Sequence, residues 1–399
     1  MHADRIISKT LSQAVDSMHA RRREALFVAV SSSLRGQPLA VTALGRGLDG
    51  EADEKHQIKR MDRLLSNRHL QSERESLYRD VARLMVGCCA RPVIAVDWSD
   101  LDGTKRHFLL RASLILDGRA LTLYEEVHSA AGKDKPRTHQ QLLNRLKAIL
   151  PAHSHPVVVS DAGFRTPWFK QVLAMGWDYV GRVRNRHLVR QHETQPWFDA
   201  KKLYAEATSQ AKEMGALELT RSNPLLTRLV VVRQPKRGRS KWTLTGQRAG
   251  SSHSEKQAAR EREPWLLVTS LSRRSARAKR IVSIYAGRMQ IEEAFRDLKS
   301  ARFGLGFELS RSTNPQRIAM LLLIAMLTLL VAWIIGMTVE LAGQQRRYQA
   351  NTERKRRVLS IIYLGRRAVN DRRLSIDQGL LKSAVDEIAT LAHRVFGND

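Results

Sequence analysis

Cysteine is nearly absent from this sequence: there are two, Cys88 and Cys89, side by side. Adjacent thiols do not make an ordinary structural disulfide, and two cannot fill a four-ligand zinc site. The expectation is a pair of core thiols inside an apolar helical run, in a reducing cytosol. Acidic residues are the minority charge, 39 against 68 Lys and Arg, for a formal net charge of +29. A polyanion is the first partner to expect, because neutralising phosphates supplies much of nucleic-acid affinity. A basic protein on an anionic membrane has the same charge sign, so charge alone does not choose. A phosphate-binding loop ending in Gly-Lys-Ser/Thr is missing, as is a glycine-rich fingerprint after the first strand. ATP-driven and dinucleotide chemistry therefore lack support. The chain has no internal repeat, no low-complexity tract and no N-terminal apolar run of signal-peptide length.

What is present suits a protein of two or three domains, with 399 residues of which 43% are hydrophobic. One long uncharged run, residues 318–339, is a membrane-span candidate by length and hydropathy. A central helix packed on all sides is apolar all round for the same reason, and that is the reading preferred here.

Residues 1–90 read as a helical DNA-binding domain. Val41 to Leu48, a break at Asp49-Gly50, and His56 to Leu65 outline a helix-turn-helix. Ile58, Met61, Leu64 and Leu65 form the inward stripe, leaving Lys59, Arg60 and Arg63 as candidate DNA contacts; the alternative is an ordinary basic amphipathic helix. Glu73 to Cys88 reads as a further helix. At Pro92 the period changes, and 91–183 reads as the first part of an α/β catalytic domain. Its order is β-β-β-α-β-α-β, with Val93 to Asp97 and Pro156 to Asp161 as apolar strands ending in carboxylates. A parallel placement of those two strands would bring Asp97 and Asp161 together. Residues 184–262 form a polar, basic, largely β insertion, with strands expected at Leu229–Arg233 and Ser240–Leu244 and a loop over 246–262. The catalytic domain resumes over 263–340, and 341–399 is a helical region suited to packing or a dimer contact.

The segment from Ile284 to Lys299 carries the most information. Read as one helix, it puts Tyr285, Arg288, Glu292 and Lys299 within about 60° of each other, with Glu293 and Asp297 elsewhere. An Arg–Glu pair on a solvated face is the plain alternative. With Asp97 and Asp161, however, Glu292 would complete a set of hard oxygen ligands for two Mg²⁺ ions, with Mn²⁺ as the substitute. Such a site activates water or a DNA 3′-hydroxyl for in-line attack on a phosphodiester. A lone Asp at a strand end is more often a cap or turn former, and Asp100 and Glu293 are the rival ligands.

The spacing Tyr285-x2-Arg288-x3-Glu292-x6-Lys299 resembles the YREK signature of bacterial insertion-sequence transposases with DDE catalytic residues. Val96-Asp97-Trp98-Ser99-Asp100, Ser160-Asp161-Ala162-Gly163-Phe164, Glu263-Pro264-Trp265 and residues 61–70 extend the likeness. They look most like the branch carried by the ten-type tetracycline-resistance transposon. The resemblance implies a ribonuclease H-like fold with Asp97, Asp161 and Glu292 as catalytic and metal-binding triad. It implies cut-and-paste transposition through hairpinned ends, on double-stranded DNA bearing terminal inverted repeats and on target DNA. A homodimer in the DNA complex and a cytoplasmic, nucleoid-associated bacterial enzyme, not a membrane protein, go with it. Arg288 and Lys299 would clamp phosphates, and Tyr285 would donate to one near the hairpin. Trp265 and Trp98 are candidates for supporting an unstacked base, with core packing as the alternative. Lys236, Arg237 and Arg239 would contact the DNA backbone. A metal-dependent nuclease that stops at cleavage, or a DNA-binding protein without catalysis, is the runner-up.

Overall fold

A computed structural model of the chain describes residues 8, 15, 18–184, 187–235, 263–353, 356–371, 373–374 and 377–397. The chain divides into two compact units, one made of residues 1–156 and 288–398, the other of 157–287.

The first unit begins with helices α1 (Ala20–Leu34), α2 (Val41–Arg46), α3 (Glu54–Leu65) and α4 (Arg68–Val86). In α3, Gln57, Met61, Leu64 and Leu65 are buried, so the inward stripe matches the sequence reading except that Ile58 is only half-buried. Helix α4 stops at Val86, because Gly87 takes a left-handed φ of 54° that ends the hydrogen-bond ladder. The cysteines thus follow the helix, and only Cys89 is buried. Cys88 is exposed, which corrects the expectation of two core thiols.

Next come β1 (Val93–Asp100), β2 (His107–Ile115) and β3 (Ala120–Ser129), an antiparallel sheet in the order β3-β2-β1. Strand β1 runs past Asp97 to Asp100, because β2 is long enough to pair Trp98, Ser99 and Asp100 with Leu110, Leu109 and Phe108. Asp97 is therefore a mid-strand residue rather than a strand end. Helix α5 (Pro136–Ile149) starts earlier than its apolar residues suggest, with a proline in the first turn where no N–H is needed.

The long apolar run is helix α9 (Pro315–Leu341), and every residue from Ile318 to Val339 is buried. It is long and apolar enough to cross a membrane, but here it packs inside protein as a core helix. Around it lie α1, α3, α4, β3, α10 (Ile361–Val369) and α11 (Gln378–Gly397). The crossing with α10 is set by two glycines. A Cβ on Gly336 would meet the carbonyl of Ile361, and one on Gly365 would meet the carbonyl of Ala332. Both obstacles are backbone, so neither can turn aside. At its start, Asn314 accepts from the Gln316 and Arg317 amides, and Arg317 reaches Asp62 (2.7 Å) and Ser66 (2.5 Å) at the end of α3.

The second unit holds β4 (Val157–Ser160), α6 (Thr166–Ala174), β5 (Asp178–Val183), β6 (Leu188–Arg190), β7 (Phe198–Asp199), β8 (Lys212–Leu219), β9 (Leu225–Val232), β10 (Trp265–Thr269) and α7 (Ala278–Gly287). Its strands run in the order β4-β5-β10-β9-β8-β6-β7. The β4–β5 pair is parallel and the other pairings are antiparallel, so the sheet is mixed. Strand β9 begins before the expected Leu229, and β6, β7 and β8 have no counterpart in the sequence reading. The expected strand 240–244 and loop 246–262 lie outside the described residues.

The helix expected over 284–299 is two helices. Helix α7 ends at Gly287 and α8 (Met289–Lys299) follows, with Arg288 between them in right-handed backbone (φ −53°, ψ −32°).

Candidate active site

The first unit builds one half of the site from β1 and α8. Residues two apart on a strand share a face, so Asp97 and Ser99 project from the same side of β1. Arg111, opposite Asp97 on β2, projects from that side too. Helix α8 lies over this face. Phe295 of α8 packs its ring on the Arg111 guanidinium at 5.2 Å, Arg288 reaches Asp97, and Lys299 reaches Ser99.

Arg288 is the hub. Its Nη1 donates to Asp97 Oδ2 at 3.0 Å and its Nη2 to Glu292 Oε1 at 2.7 Å. Arg288 is 8% exposed, so the arginine end of this bridge is shielded. A planar fork can hold two carboxylates in fixed directions, which an ammonium cannot. Asp97 Oδ1 accepts from the Trp98 amide at 2.8 Å. Glu292 is engaged through Oε1 while nearly half of its side chain, 47%, faces solvent.

Its neighbours are committed elsewhere. Glu293 pairs with Arg296 at 2.6 Å, and Asp297 with Arg119 at 3.0 Å. Burial pushes the Asp297 carboxyl up, with Arg119 opposing. Asp100 lies 3.4 Å from Lys133.

Lys299 Nζ donates to Ser99 Oγ at 2.6 Å and sits 5.7 Å from the Phe295 ring centroid. Burial pulls its ammonium pKa down, partly offset by Asp100. Ser99 was not singled out from sequence, although its two-residue offset from Asp97 on a strand was a usable signal. His139 was also overlooked. Trp98 Nε1 donates to His139 Nε2 at 3.1 Å, and the Trp98 ring meets His128 edge-on at 5.5 Å. Burial first, then the nearby His128, lower His139 to about 4. Its Nε2 is therefore an acceptor with the proton on Nδ1. Trp98 is thus anchored in a packed aromatic cluster.

In the second unit Asp161 directly follows β4. Its Oδ1 accepts from the Gly163 amide at 2.8 Å, a side-chain turn, and the residue is part-exposed. Tyr285 is 4% exposed and meets the part-exposed Trp265 edge-on, with ring centroids 4.9 Å apart. Both rings are tied to each other in packing contact.

The structure therefore gathers Asp97, Arg288 and Glu292 directly, places Lys299 on the same strand face, and pairs Trp265 with Tyr285. Asp161, Trp265 and Tyr285 belong to the second unit. Of the N-terminal candidates, Lys59 and Arg63 are exposed, and Arg60 is drawn to Glu24 of α1 at 2.8 Å. Lys236, Arg237 and Arg239 lie outside the described residues.

Asp97, Asp161 and Glu292 are hard oxygen donors of the kind Mg²⁺ or Mn²⁺ prefers, and the Glu292 side chain is part-exposed. Among the described residues no three His, Cys, Asp or Glu side chains are grouped closely enough to hold a metal ion. The chemistry of the donors fits a divalent ion, while Arg288 occupies one oxygen on each of two of them.

No curated protein matches the chain. Residues 89–329, more than half of it, match the family described as the transposase DDE domain. That stretch starts just before β1 and ends inside α9, so it encloses both strands, both aspartates and the Arg288–Glu292 helix described above. With an α/β mixed-sheet core flanked by helices and a carboxylate pair clamped by one arginine, the chain belongs to the DDE transposase family.

Proposed function

We propose that the protein is a cut-and-paste DNA transposase of the YREK type, nearest to the branch of the ten-type tetracycline-resistance transposon, with a ribonuclease H-like catalytic core. The observation that carries this reading is Arg288, which bonds Asp97 and Glu292 at once in a chain of the DDE family. Asp97, Asp161 and Glu292 would hold divalent metal, two Mg²⁺ or Mn²⁺ ions. Bound there, the metal would supply Lewis-acid activation of the attacking oxygen and stabilisation of the leaving one.

The remaining work falls to the chain. Arg288 fixes the directions of two carboxylates and neutralises part of their mutual repulsion before substrate arrives. Lys299, steadied by Ser99, presents a point charge to a phosphate beside the same strand face. Trp265, part-exposed and braced by Tyr285, offers a stacking surface for a base taken out of the helix. Water nicks one strand, the freed 3′-hydroxyl attacks the opposite strand to close a hairpin, a second water hydrolyses the hairpin, and the regenerated 3′-hydroxyl then attacks target DNA.

In this reading 1–90 binds DNA, 91–183 and 263–340 form the catalytic domain, 184–262 is an insertion and 341–399 supports a homodimer. The enzyme works in the bacterial cytoplasm on double-stranded DNA with terminal inverted repeats. A test is incubation with linear DNA carrying the repeats that flank its gene. Hairpinned ends followed by joined products are expected. Nicks alone would reduce the protein to a metal-dependent nuclease, and binding without cleavage to a DNA-binding protein.

A further inference from the structure

The second unit contains a cleft of about 1190 Å³ that none of the proposed catalytic residues lines. Its walls are the start of α6, the residues Arg184, His187 and Leu188, and the β8–β9 turn. Two hydroxyls hold these walls in place: Thr166 and Thr220 are hydrogen-bonded at 2.7 Å. Thr220 takes a left-handed φ of 69°, a costly conformation for a β-branched residue, and its amide donates to Leu188 at 2.8 Å. The turn is thereby fixed, with Arg221 on the cleft.

Three guanidiniums line this space, Arg165, Arg184 and Arg221, with Glu263 as the sole carboxylate among the described lining residues. Glu263 lies 3.7 Å from Arg184. Arg165 and Arg221 are exposed and have no ion pair with a carboxylate among the described residues. Holding two exposed cations beside a third makes sense where a polyanion replaces the missing counter-charge. The described lining residues include no Phe, Tyr or Trp to stack a base, and the space is too large for a lone phosphate, so backbone recognition fits better than base recognition. His187, also on the wall, has its pKa lowered by burial and by the charge of Arg165.

We propose that this cleft is a sequence-independent phosphodiester site, in which Arg165 and Arg221 each neutralise a DNA phosphate and Glu263 holds Arg184 back from binding a third. The proposal rests on the reading that the protein works on DNA. It makes two predictions of opposite sign. Substituting both Arg165 and Arg221 by Ala removes two phosphate contacts. Glu263→Gln releases Arg184 and adds one.

The test is binding of a short random-sequence DNA duplex to the full chain across a salt series. The double variant is expected to lower the slope of log affinity against log salt by about two, roughly one per contact. Glu263→Gln is expected to tighten binding and steepen the slope by about one. Thermal unfolding of each variant reports whether it is folded. A wild-type slope in the folded double variant overturns the cleft while leaving DNA binding intact. Unfolding of the double variant shifts the decision to Glu263→Gln, where unchanged or weaker binding overturns the proposal. If the wild-type chain binds no duplex at any salt, the cleft and the functional reading both fall.

Discussion

Helices α8 and α9 are near neighbours in sequence and in the same unit, yet they solve opposite problems. Helix α9 buries every residue from Ile318 to Val339 and meets α10 through a glycine pair, Gly336 and Gly365, that lets two backbones touch. Helix α8 buries one face only, through Ile291, Ala294, Phe295, Asp297 and Leu298, and keeps Glu292 nearly half-exposed. Arg288, just before it, and Lys299, at its end, reach the strand residues Asp97 and Ser99. The contrast separates stability from chemistry. A helix packed on all sides tolerates no change of volume, whereas a helix with one packed face can spend the other on charge.

The sharpest way to break the comparison is at the glycine pair. Gly365→Leu is expected to cost more than about 3 kcal/mol, because the side chain would be driven into the Ala332 carbonyl. Thermal unfolding reads this directly, and a melting temperature within a few degrees of wild type would show that α10 can move aside. At the other pole, Glu292→Ala is expected to leave the fold in place while cleavage falls by at least about a thousandfold. Asp97→Ala and Asp161→Ala should match it in activity. Retained cleavage in any one of them removes that residue from the triad.

Arg288→Lys is a finer probe. It keeps one positive charge but loses the fork that bonds Asp97 and Glu292 together. A loss of about tenfold to a hundredfold in cleavage is expected, with little change in melting temperature. Equal losses in activity and stability would make the arginine a packing residue instead.

The smallest expected effect is at His139. Its folded pKa is about 4, below the ordinary 6.5, so the unfolded chain binds the extra proton first as the pH falls. The neutral ring therefore contributes its full stability above about pH 6.5, and this is lost progressively down to about pH 4. Its ceiling is about 3 kcal/mol. His139→Gln keeps an acceptor for Trp98 Nε1 and removes the titration, so the melting temperature should vary less over that window. An unchanged pH profile would mean that other groups set the acid sensitivity.

The legible parts of the fold were those with strong apolar period. Val93 to Val96, the strand pair at 107–129, Val157 to Val159 and α9 could be read because burial on one or both sides leaves an uninterrupted signal. Strand β8 could not, since only Leu217 and Leu219 of its eight residues are buried. Strands β6 and β7 have three and two residues, too short for any period to register. In the site, the likeness to a transposase signature singled out Asp97, Arg288, Glu292 and Lys299. The same reading treated Arg288 as a phosphate clamp and did not anticipate that both of its arms are engaged by carboxylates.

The sequence by itself determined the chemical alphabet of this protein: an excess of cations, an all-apolar helix too uniform to face water on any side, and a family signature carried by local spacing. Spacing along one segment follows from helical pitch, so it survives without knowledge of the rest of the chain. Tertiary structure alone decided what depends on partners distant in sequence. Asp97 and Arg288 are bonded across 191 residues, and Gly336 and Gly365 touch only because α10 returns to α9. It also decided the limits of the helix pattern over 284–299, which breaks at Arg288, where one unit ends and the other resumes. Such contacts arise from close packing between elements, and no local period encodes them.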